Sequence, residues 1–180
     1  MKSNFKYLLV GLLSVVIISC SKDDDSPEPI NEEEVITTMT VVLNPGNITL
    51  KSQDLDGDGP NAPNVTVSGN LSANTTYTGS VTFLNELESP AEDITEEVEE
   101  EDDEHQVIFV SSGVALSVSD LNTDGNGNDL GTQFSLSTAA AGSGTLRIVL
   151  RHEPTKPNDG TLAGAGGETD IDVSFNVTVE

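Results

Sequence analysis

The sequence predicts an all-β fold, a single antiparallel β-sandwich with one short acidic helix inserted near residues 89–104. Apolar and polar residues alternate with a period of two in segments rich in Thr and Val, and clusters of Gly, Pro, Asn and Asp separate these segments. Such alternation puts one face of each strand in the core and the other in water, as in antiparallel sheets. The pattern recurs in nine segments: 36–43, 47–52, 64–68, 75–85, 106–111, 114–119, 132–138, 144–151 and 170–179.

Residues 1–19 have the pattern of an export signal. Two lysines precede an apolar stretch at residues 8–18, and the small residue Ser19 lies directly before Cys20, the only cysteine in the sequence. An apolar stretch of eleven residues is too short to span a hydrocarbon core of roughly 30 Å. The residues that end at Cys20 resemble a bacterial lipobox, so we expect cleavage before Cys20, lipidation of its side chain and attachment to a membrane through the lipid.

Residues 20–34 are expected to form a flexible acidic tether, because they are charged, contain two prolines and have too few apolar residues to order themselves. The acidic cluster at 21–25 resembles the signal that sends some lipoproteins of bacteria with two membranes to the cell surface. A solvated linker with no such role is the alternative. The sandwich domain is then expected to occupy residues 35–180, at the outer membrane and exposed on its surface, with the periplasmic face as the other location.

Negative charge restricts the partners of the chain. Loss of residues 1–19 would remove two lysines and no acid, so the formal net charge would go from −24 to −26. A surface this acidic excludes nucleic acid as a partner and rules out electrostatic docking on anionic lipid. Lipidation of Cys20 would leave no thiol for a disulfide, a metal or a nucleophile. Cations and a protein or glycan partner remain.

The segment 86–104 departs from the strand pattern, since twelve of its nineteen residues are acidic. The sequence predicts a helix of about three turns that begins with a capping box. Ser89 would be the N-cap, Pro90 would take the first helical position, and Glu92 lies three residues after the cap. Repulsion between acidic side chains and the negative end of the helix dipole predict fraying beyond Glu100. The acidic face has two interpretations, a surface that collects cations or a solvated surface that resists aggregation.

Two loops share the spelling Asp-x-Asp/Asn-x-Asp-Gly, and each follows a predicted strand. Oxygen ligands at positions 1, 3 and 5 with glycine at position 6 suit Ca²⁺. Neither loop is a complete EF-hand, because Val65 and Gly131 occupy the positions where that motif has a bidentate acid. Plain β-turns use the same residue types, so both interpretations stay open. The candidate calcium ligands are Asp54, Asp56 and Asp58 in the first loop, Asp120, Asn122 and Asp124 in the second, and Asp129 with the 92–104 acids to complete the shell.

The sequence gives little support for a catalytic site. His105 and His152 are the only histidines, and neither belongs to a His-Glu-x-x-His motif. Their positions at a predicted strand start and strand end favour hydrogen-bonded edge histidines over metal ligands. The sequence has no Gly-x-Ser-x-Gly motif for a hydrolase, and the run at 163–167 predicts a flexible hairpin connection. We expect no enzyme.

Three segments carry a family resemblance: SPAEDITEEVEEEDDEHQ, RHEP and GGETDIDVSFNVTV. They resemble a group of small, uncharacterised bacterial surface lipoproteins, some of which are labelled "type 1 periplasmic binding fold superfamily protein". That fold alternates strands and helices over two lobes, whereas nine alternating segments and no tryptophan favour an immunoglobulin-like architecture without the Cys-Trp-Cys core. The resemblance implies no activity and no functional residues. The expected function is a non-catalytic structural or binding lipoprotein that calcium would stabilise, and the alternative is a small-ligand-binding lipoprotein that serves an uptake system.

Overall fold

A computed structural model describes residues 34–57 and 59–180. The leader, Cys20, the tether up to residue 33 and Asp58 lie outside the described residues. Ten strands and two short helices follow each other in the described part of the chain. The strands are β1 (Thr38–Asn44), β2 (Ile48–Gln53), β3 (Asn64–Val67), β4 (Thr76–Asn85), β5 (Glu92–Asp93), β6 (His105–Ser112), β7 (Leu116–Ser119), β8 (Gln133–Thr138), β9 (Gly142–His152) and β10 (Glu168–Val179).

Two antiparallel sheets confirm the predicted all-β fold. The larger sheet has the order β3-β2-β1-β4-β8-β7, with β5 paired to the end of β4, and the smaller sheet has the order β10-β9-β6. All nine strand segments of the sequence analysis are strands, and their ends move by no more than two residues. The match is close because alternating burial on one face of a sheet leaves a strong period of two in the sequence.

The core lies between the two sheets. Inward side chains of β1 and β4 in the larger sheet and of β9 and β10 in the smaller one form a single apolar cluster. Phe109 on β6 and Phe134 on β8 meet across the sandwich with ring centroids 4.5 Å apart. Gly79 on β4 makes room for this contact, because a Cβ there would overlap the ring of Phe134. Side chains from both sheets thus interdigitate as sandwich packing requires.

Helix α1 (Ile94–Glu100) begins later than the sequence predicts. Asp93, and not Ser89, is the N-cap, and its carboxylate accepts a hydrogen bond from the Thr95 amide at 3.0 Å. The expected capping box at Ser89, Pro90 and Glu92 is therefore wrong. Glu92 and Asp93 pair with the end of β4 as strand β5, so the helix cannot begin before Ile94. The Thr95 hydroxyl also accepts a hydrogen bond from the backbone of β4. The helix spans two turns instead of three and ends at Glu100, where fraying was expected.

The predicted hairpin connection after β9 contains a second short helix, α2 (Leu162–Ala165), which the sequence analysis did not predict. Thr161 caps its first turn, with the side-chain hydroxyl accepting from the Gly164 amide at 3.0 Å. Ala165 is fully buried, so the connection is packed against the domain. Within the described ranges, neither α1 nor α2 has the length and apolarity needed to cross a membrane.

Candidate metal centre

The two histidines lie side by side inside the domain. His105 is the first residue of β6 and His152 is the last residue of β9, and the antiparallel ladder makes them direct partners. Their rings stack with centroids 4.7 Å apart, and the two residues are 0% and 3% exposed. The expectation of a strand start and a strand end is confirmed, but these histidines occupy the core-facing rows of their strands and pair with each other.

Asp170 reaches the histidines through a β-bulge. Between β9 and β10, Thr169 pairs with Arg151 and Ile171 pairs with Leu150, so Asp170 is the extra residue of β10. A bulge of this kind breaks the alternation of the strand and re-aims a side chain. The Asp170 carboxylate is fully buried, and its oxygens lie 3.5 Å from Nδ1 of His152 and 3.9 Å from Nε2 of His105.

A second carboxylate approaches from the start of the domain. Oε1 of Glu34 lies 3.8 Å from Nε2 of His105, and the Glu34 side chain is 10% exposed. On the other side of the ring, Nδ1 of His105 is 3.1 Å from the backbone carbonyl of Glu101, the C-cap of α1. A carbonyl oxygen only accepts hydrogen bonds, so Nδ1 carries the proton of the neutral ring. Nε2 then directs its lone pair toward Glu34 and Asp170.

Burial and neighbouring carboxylates disfavour the ionised form of Glu34 in this cluster. The pKa of Glu34 is raised to about 7, mainly by burial and in addition by the neighbouring carboxylates of Glu97, Asp170 and Glu101, against a smaller opposing effect of His152. Burial also lowers the pKa of His105, against the hydrogen bond to Glu101. Since burial favours neutral His105, the carboxylates of Glu34 and Asp170 face a ring without positive charge.

The cluster brings together side chains of the types that ligate metals. Its members are Glu34, Glu101, His105, His152 and Asp170. One set consists of His105, His152 and Asp170, and a second consists of Glu34, Glu101 and His105. In each set one ligand atom from every residue lies within 4.8 Å of the others. Because His105 belongs to both sets, it is the centre of the cluster. Imidazole nitrogens with carboxylate oxygens form the ligand set of zinc-type ions, while calcium prefers oxygen alone.

The first predicted calcium loop is an exposed turn stabilised by its own acids. Asp54 accepts a hydrogen bond from the Asp56 amide at 3.3 Å, and Asp56 accepts from the backbone and side chain of Asn61. The side-chain bond from Asn61 is the main reason that the pKa of Asp56 is lowered. These contacts are those of an Asx turn, and the calcium prediction for this loop stays a prediction.

The second predicted loop is more buried and is tied to the sheet. The Asn122 side-chain oxygen accepts from the amides of Gly131 and Gln133 at 3.1 and 2.9 Å. Asp120 accepts a hydrogen bond from the Ser119 hydroxyl and has a left-handed backbone conformation. Asp129 joins Thr123 through an isolated β-bridge. The loop oxygens thus bond to protein donors, and calcium here also stays a prediction.

Asp124 is the best-bonded acid of this loop. Its carboxylate accepts from the backbone amides of Asn126 and Asn128 at 2.9 and 2.8 Å, and it lies 3.2 Å from the Lys156 ammonium. Burial raises the pKa of Asp124, but these hydrogen bonds outweigh it and lower the pKa to about 2. The ammonium of Lys156 therefore occupies the place next to Asp124 that a cation would take.

The histidine cluster is the site that sequence reasoning missed. Two signals point to it: His152 continues the buried row Leu146, Ile148 and Leu150, and His105 continues the row of Val107. No such signal exists for Asp170, because strict alternation along β10 would place it on the outer face. Comparison of the chain with protein-family models, with curated proteins and with solved structures found no match.

Proposed function

We propose that this chain is a lipid-anchored, non-catalytic lipoprotein of the outer membrane, displayed at the cell surface, whose β-sandwich serves a structural or binding purpose. The observation that carries the proposal is the apolar stretch that ends at Cys20 and is followed at once by the acidic run 21–25. The lipid joins the chain to the membrane, and the sandwich faces a protein or glycan partner. An excess of acidic over basic residues supports solubility of a domain that is held close to other proteins.

Burial of the titratable groups supports a non-catalytic role. An enzyme needs acids, bases or nucleophiles that converge in a cleft open to substrate. In the described part of the chain, the imidazoles of His105 and His152 meet the carboxylate of Asp170 in the interior, and all three side chains are almost completely buried. The two histidines are not among the residues that line the neighbouring groove, so a substrate in it would not meet their rings.

Metabolic labelling tests the lipid anchor. Cells that express the full chain are grown with an alkyne-bearing fatty acid, and labelled protein is measured in the membrane fraction. We expect strong labelling of wild type, complete loss in Cys20→Ala and full retention in the matched control Ser21→Ala. Equal labelling of wild type and Cys20→Ala would refute anchoring at this cysteine.

Protease treatment of intact cells tests surface display. The acidic run is neutralised by Asp23→Ala, Asp24→Ala and Asp25→Ala, and the control replaces three later tether acids, Glu28, Glu32 and Glu33, by Ala. We expect protease to remove wild type and the control but to spare the acidic-run variant, which stays inside. Protection of wild type would place the domain on the periplasmic side, and equal removal of both variants would reduce the run to a solvated linker.

A groove supports the alternative of small-ligand binding for uptake. It has a volume of about 510 Å³ and is lined by residues that include Glu34, Ser52, Asp54, Val65 and Asp172. Drug-sized ligands occupy sites of roughly 300–1,000 Å³ that enclose most of their surface. Native mass spectrometry of the chain purified from cells distinguishes the two functions. A non-covalent small molecule at one copy per chain would favour uptake, and ligand-free protein would favour the structural or binding module.

Calcium stabilisation of the module is part of the proposal for at least one Asp-rich loop. An ion that binds only the folded chain must raise its stability by mass action. We expect the melting temperature to rise from chelator to millimolar Ca²⁺ at fixed ionic strength, and the rise to disappear in Asp56→Ala plus Asp124→Ala. A rise no greater than matched Mg²⁺ produces would reduce both loops to turns.

A further inference from the structure

The strongest unexplained feature of the interior is Nε2 of His105. This atom is completely buried and has no hydrogen-bond partner among the described residues. It faces Oε1 of Glu34 at 3.8 Å and Oδ2 of Asp170 at 3.9 Å. Nδ1 of His152, the other nitrogen available to an ion here, lies 3.5 Å from Oδ1 of Asp170. A polar atom that is buried without a hydrogen bond is destabilising, so its retention is explained by a ligand.

We infer that Glu34, His105, His152 and Asp170 bind one divalent transition-metal ion of the zinc class. The site supplies two imidazole nitrogens and two carboxylate oxygens, the number and type of ligands in a tetrahedral zinc site. Calcium and magnesium prefer oxygen ligands alone, so the two histidines favour zinc and its neighbours in the first transition series. This site is separate from the two Asp-rich loops, and the inference does not depend on the lipid anchor.

The ligand atoms lie farther apart than in a loaded zinc site, so binding requires them to contract. Zinc bonds of about 2.0–2.1 Å place the ligand atoms of a tetrahedral site about 3.3 Å from each other. The separations from Asp170 and Glu34 to the ring nitrogens are 3.5 to 3.9 Å. Ligand atoms of His105, His152 and Asp170 lie within 4.8 Å of one another and would have to contract toward one point, and Glu34 would have to turn toward them from its place beside Nε2 of His105. The β6–β9 ladder and the bulge of β10 already hold the rings and Asp170 on one side of the sheet.

A supporting contact fixes the tautomer that a metal requires. The Glu101 carbonyl accepts the Nδ1 proton of His105 at 3.1 Å. Hydrogen bonds of this kind orient ligating histidines and leave the second nitrogen free for the metal. The residue that caps the C-terminus of α1 therefore orients the ring of His105. The positive charge of the ion would also attract the buried carboxylate of Glu34, which the neighbouring carboxylates repel.

The arrangement is that of a structural site. Four protein ligands would close the coordination shell and leave no open position for a water or a substrate, which is typical of structural zinc. Three ligands come from β6, β9 and β10, and the fourth is Glu34, at the predicted junction between tether and domain. The ion would therefore fasten the entry of the chain to the smaller sheet. The groove that Glu34 and Asp170 line offers a path for the ion to reach the site.

Metal reconstitution of the full mature chain tests the inference. The protein is purified in detergent, stripped with chelator, incubated with Zn²⁺ in millimolar Mg²⁺ to occupy weak acidic sites, and separated from free metal. We expect one Zn²⁺ per chain in wild type and less than about one tenth of that in His105→Gln and in Asp170→Asn. Asp172→Asn on the same strand and Asp124→Asn in the second loop are the matched controls and should retain full binding.

X-ray absorption of the zinc-loaded wild type decides the question even if a ligand variant fails to fold. We expect a shell of four nitrogen and oxygen atoms at about 2.0 Å, with the multiple-scattering signature of two imidazoles. The melting temperature should rise with Zn²⁺ in wild type and stay unchanged in His105→Gln. Absence of bound zinc, a shell without imidazole, or zinc lost in Asp124→Asn but retained in His105→Gln would each overturn the inference.

Discussion

Removal of the Asp124 carboxylate should be among the most destabilising single changes in the second loop, with or without calcium. Asp124 and Lys156 form an ion pair at 3.2 Å, and their side chains are 0% and 6% exposed. In Asp124→Ala the ammonium would keep, among the hydrogen bonds of the described residues, the carbonyl of Asp102, which accepts from it at 2.6 Å. The backbone amides of Asn126 and Asn128 would lose their acceptor as well.

The size of the effect follows from these contacts. Breaking a buried ion pair by removing one partner costs about 3–5 kcal/mol, because the other charge remains buried. Each amide that loses its acceptor adds about 1 kcal/mol where water does not replace the bond. These losses overlap, so we expect Asp124→Ala to lower the free energy of unfolding by about 4 kcal/mol. Asp124→Asn keeps an acceptor oxygen and should cost roughly half as much.

Urea unfolding of the full chain measures this change, once in chelator and once in millimolar Ca²⁺ at equal ionic strength. The full loss should already be present in chelator, and Lys156→Met should recover stability in the Asp124→Asn background, because it removes the unpaired charge. A change below about 1 kcal/mol would contradict the buried-pair interpretation. A loss seen only in Ca²⁺ would instead make Asp124 a metal ligand whose contacts to the loop contribute little.

Three further expectations concern packing in the core, a close backbone contact at a glycine and the loss of stability at low pH. Ile148→Ala should cost about 3 kcal/mol in urea unfolding and Ile148→Val about 1, because this fully buried side chain leaves a cavity; equal costs would contradict dense packing. Gly144→Ala should lower the melting temperature, because its Cβ would overlap the Ser112 carbonyl, whereas Gly69→Ala, with open space around it, should not. Since the pKa of Asp124 is lowered to about 2, its stabilisation is complete above an unfolded pKa of about 3.9 and is lost as the pH falls toward 2. The difference in stability between wild type and Asp124→Asn should shrink over that range, and a constant difference would refute the shift.

The strands could be predicted from the sequence because their physical signal is local. Along β10, Val173, Phe175, Val177 and Val179 alternate with polar residues, and burial in the structure follows the same period. The start of α1 could not be predicted in this way. Both Ser89 and Asp93 are good caps, and the choice between them depends on a pairing with β4 that is distant in the sequence.

The candidate site depends on contacts between distant residues. Direct pairing of His105 with His152 requires the register of β6 against β9, which neither strand determines alone. The inward turn of Asp170 comes from one extra residue in a long strand, and a bulge without glycine has no clear sequence signal. The acids of the second loop were noticed because their spacing is local, but the partner of Asp124 is Lys156, thirty-two residues away.

The intact mass of the protein that cells produce from the full-length sequence, purified from the membrane fraction, tests the proposed function most directly. Cleavage before Cys20 and lipidation predict a protein that lacks residues 1–19, has Cys20 at its N-terminus and carries the added mass of acyl chains. The fragment spectrum should place all of the added mass on Cys20. A chain that retains residues 1–19, or one that begins at Cys20 without added mass, would contradict the lipid anchor.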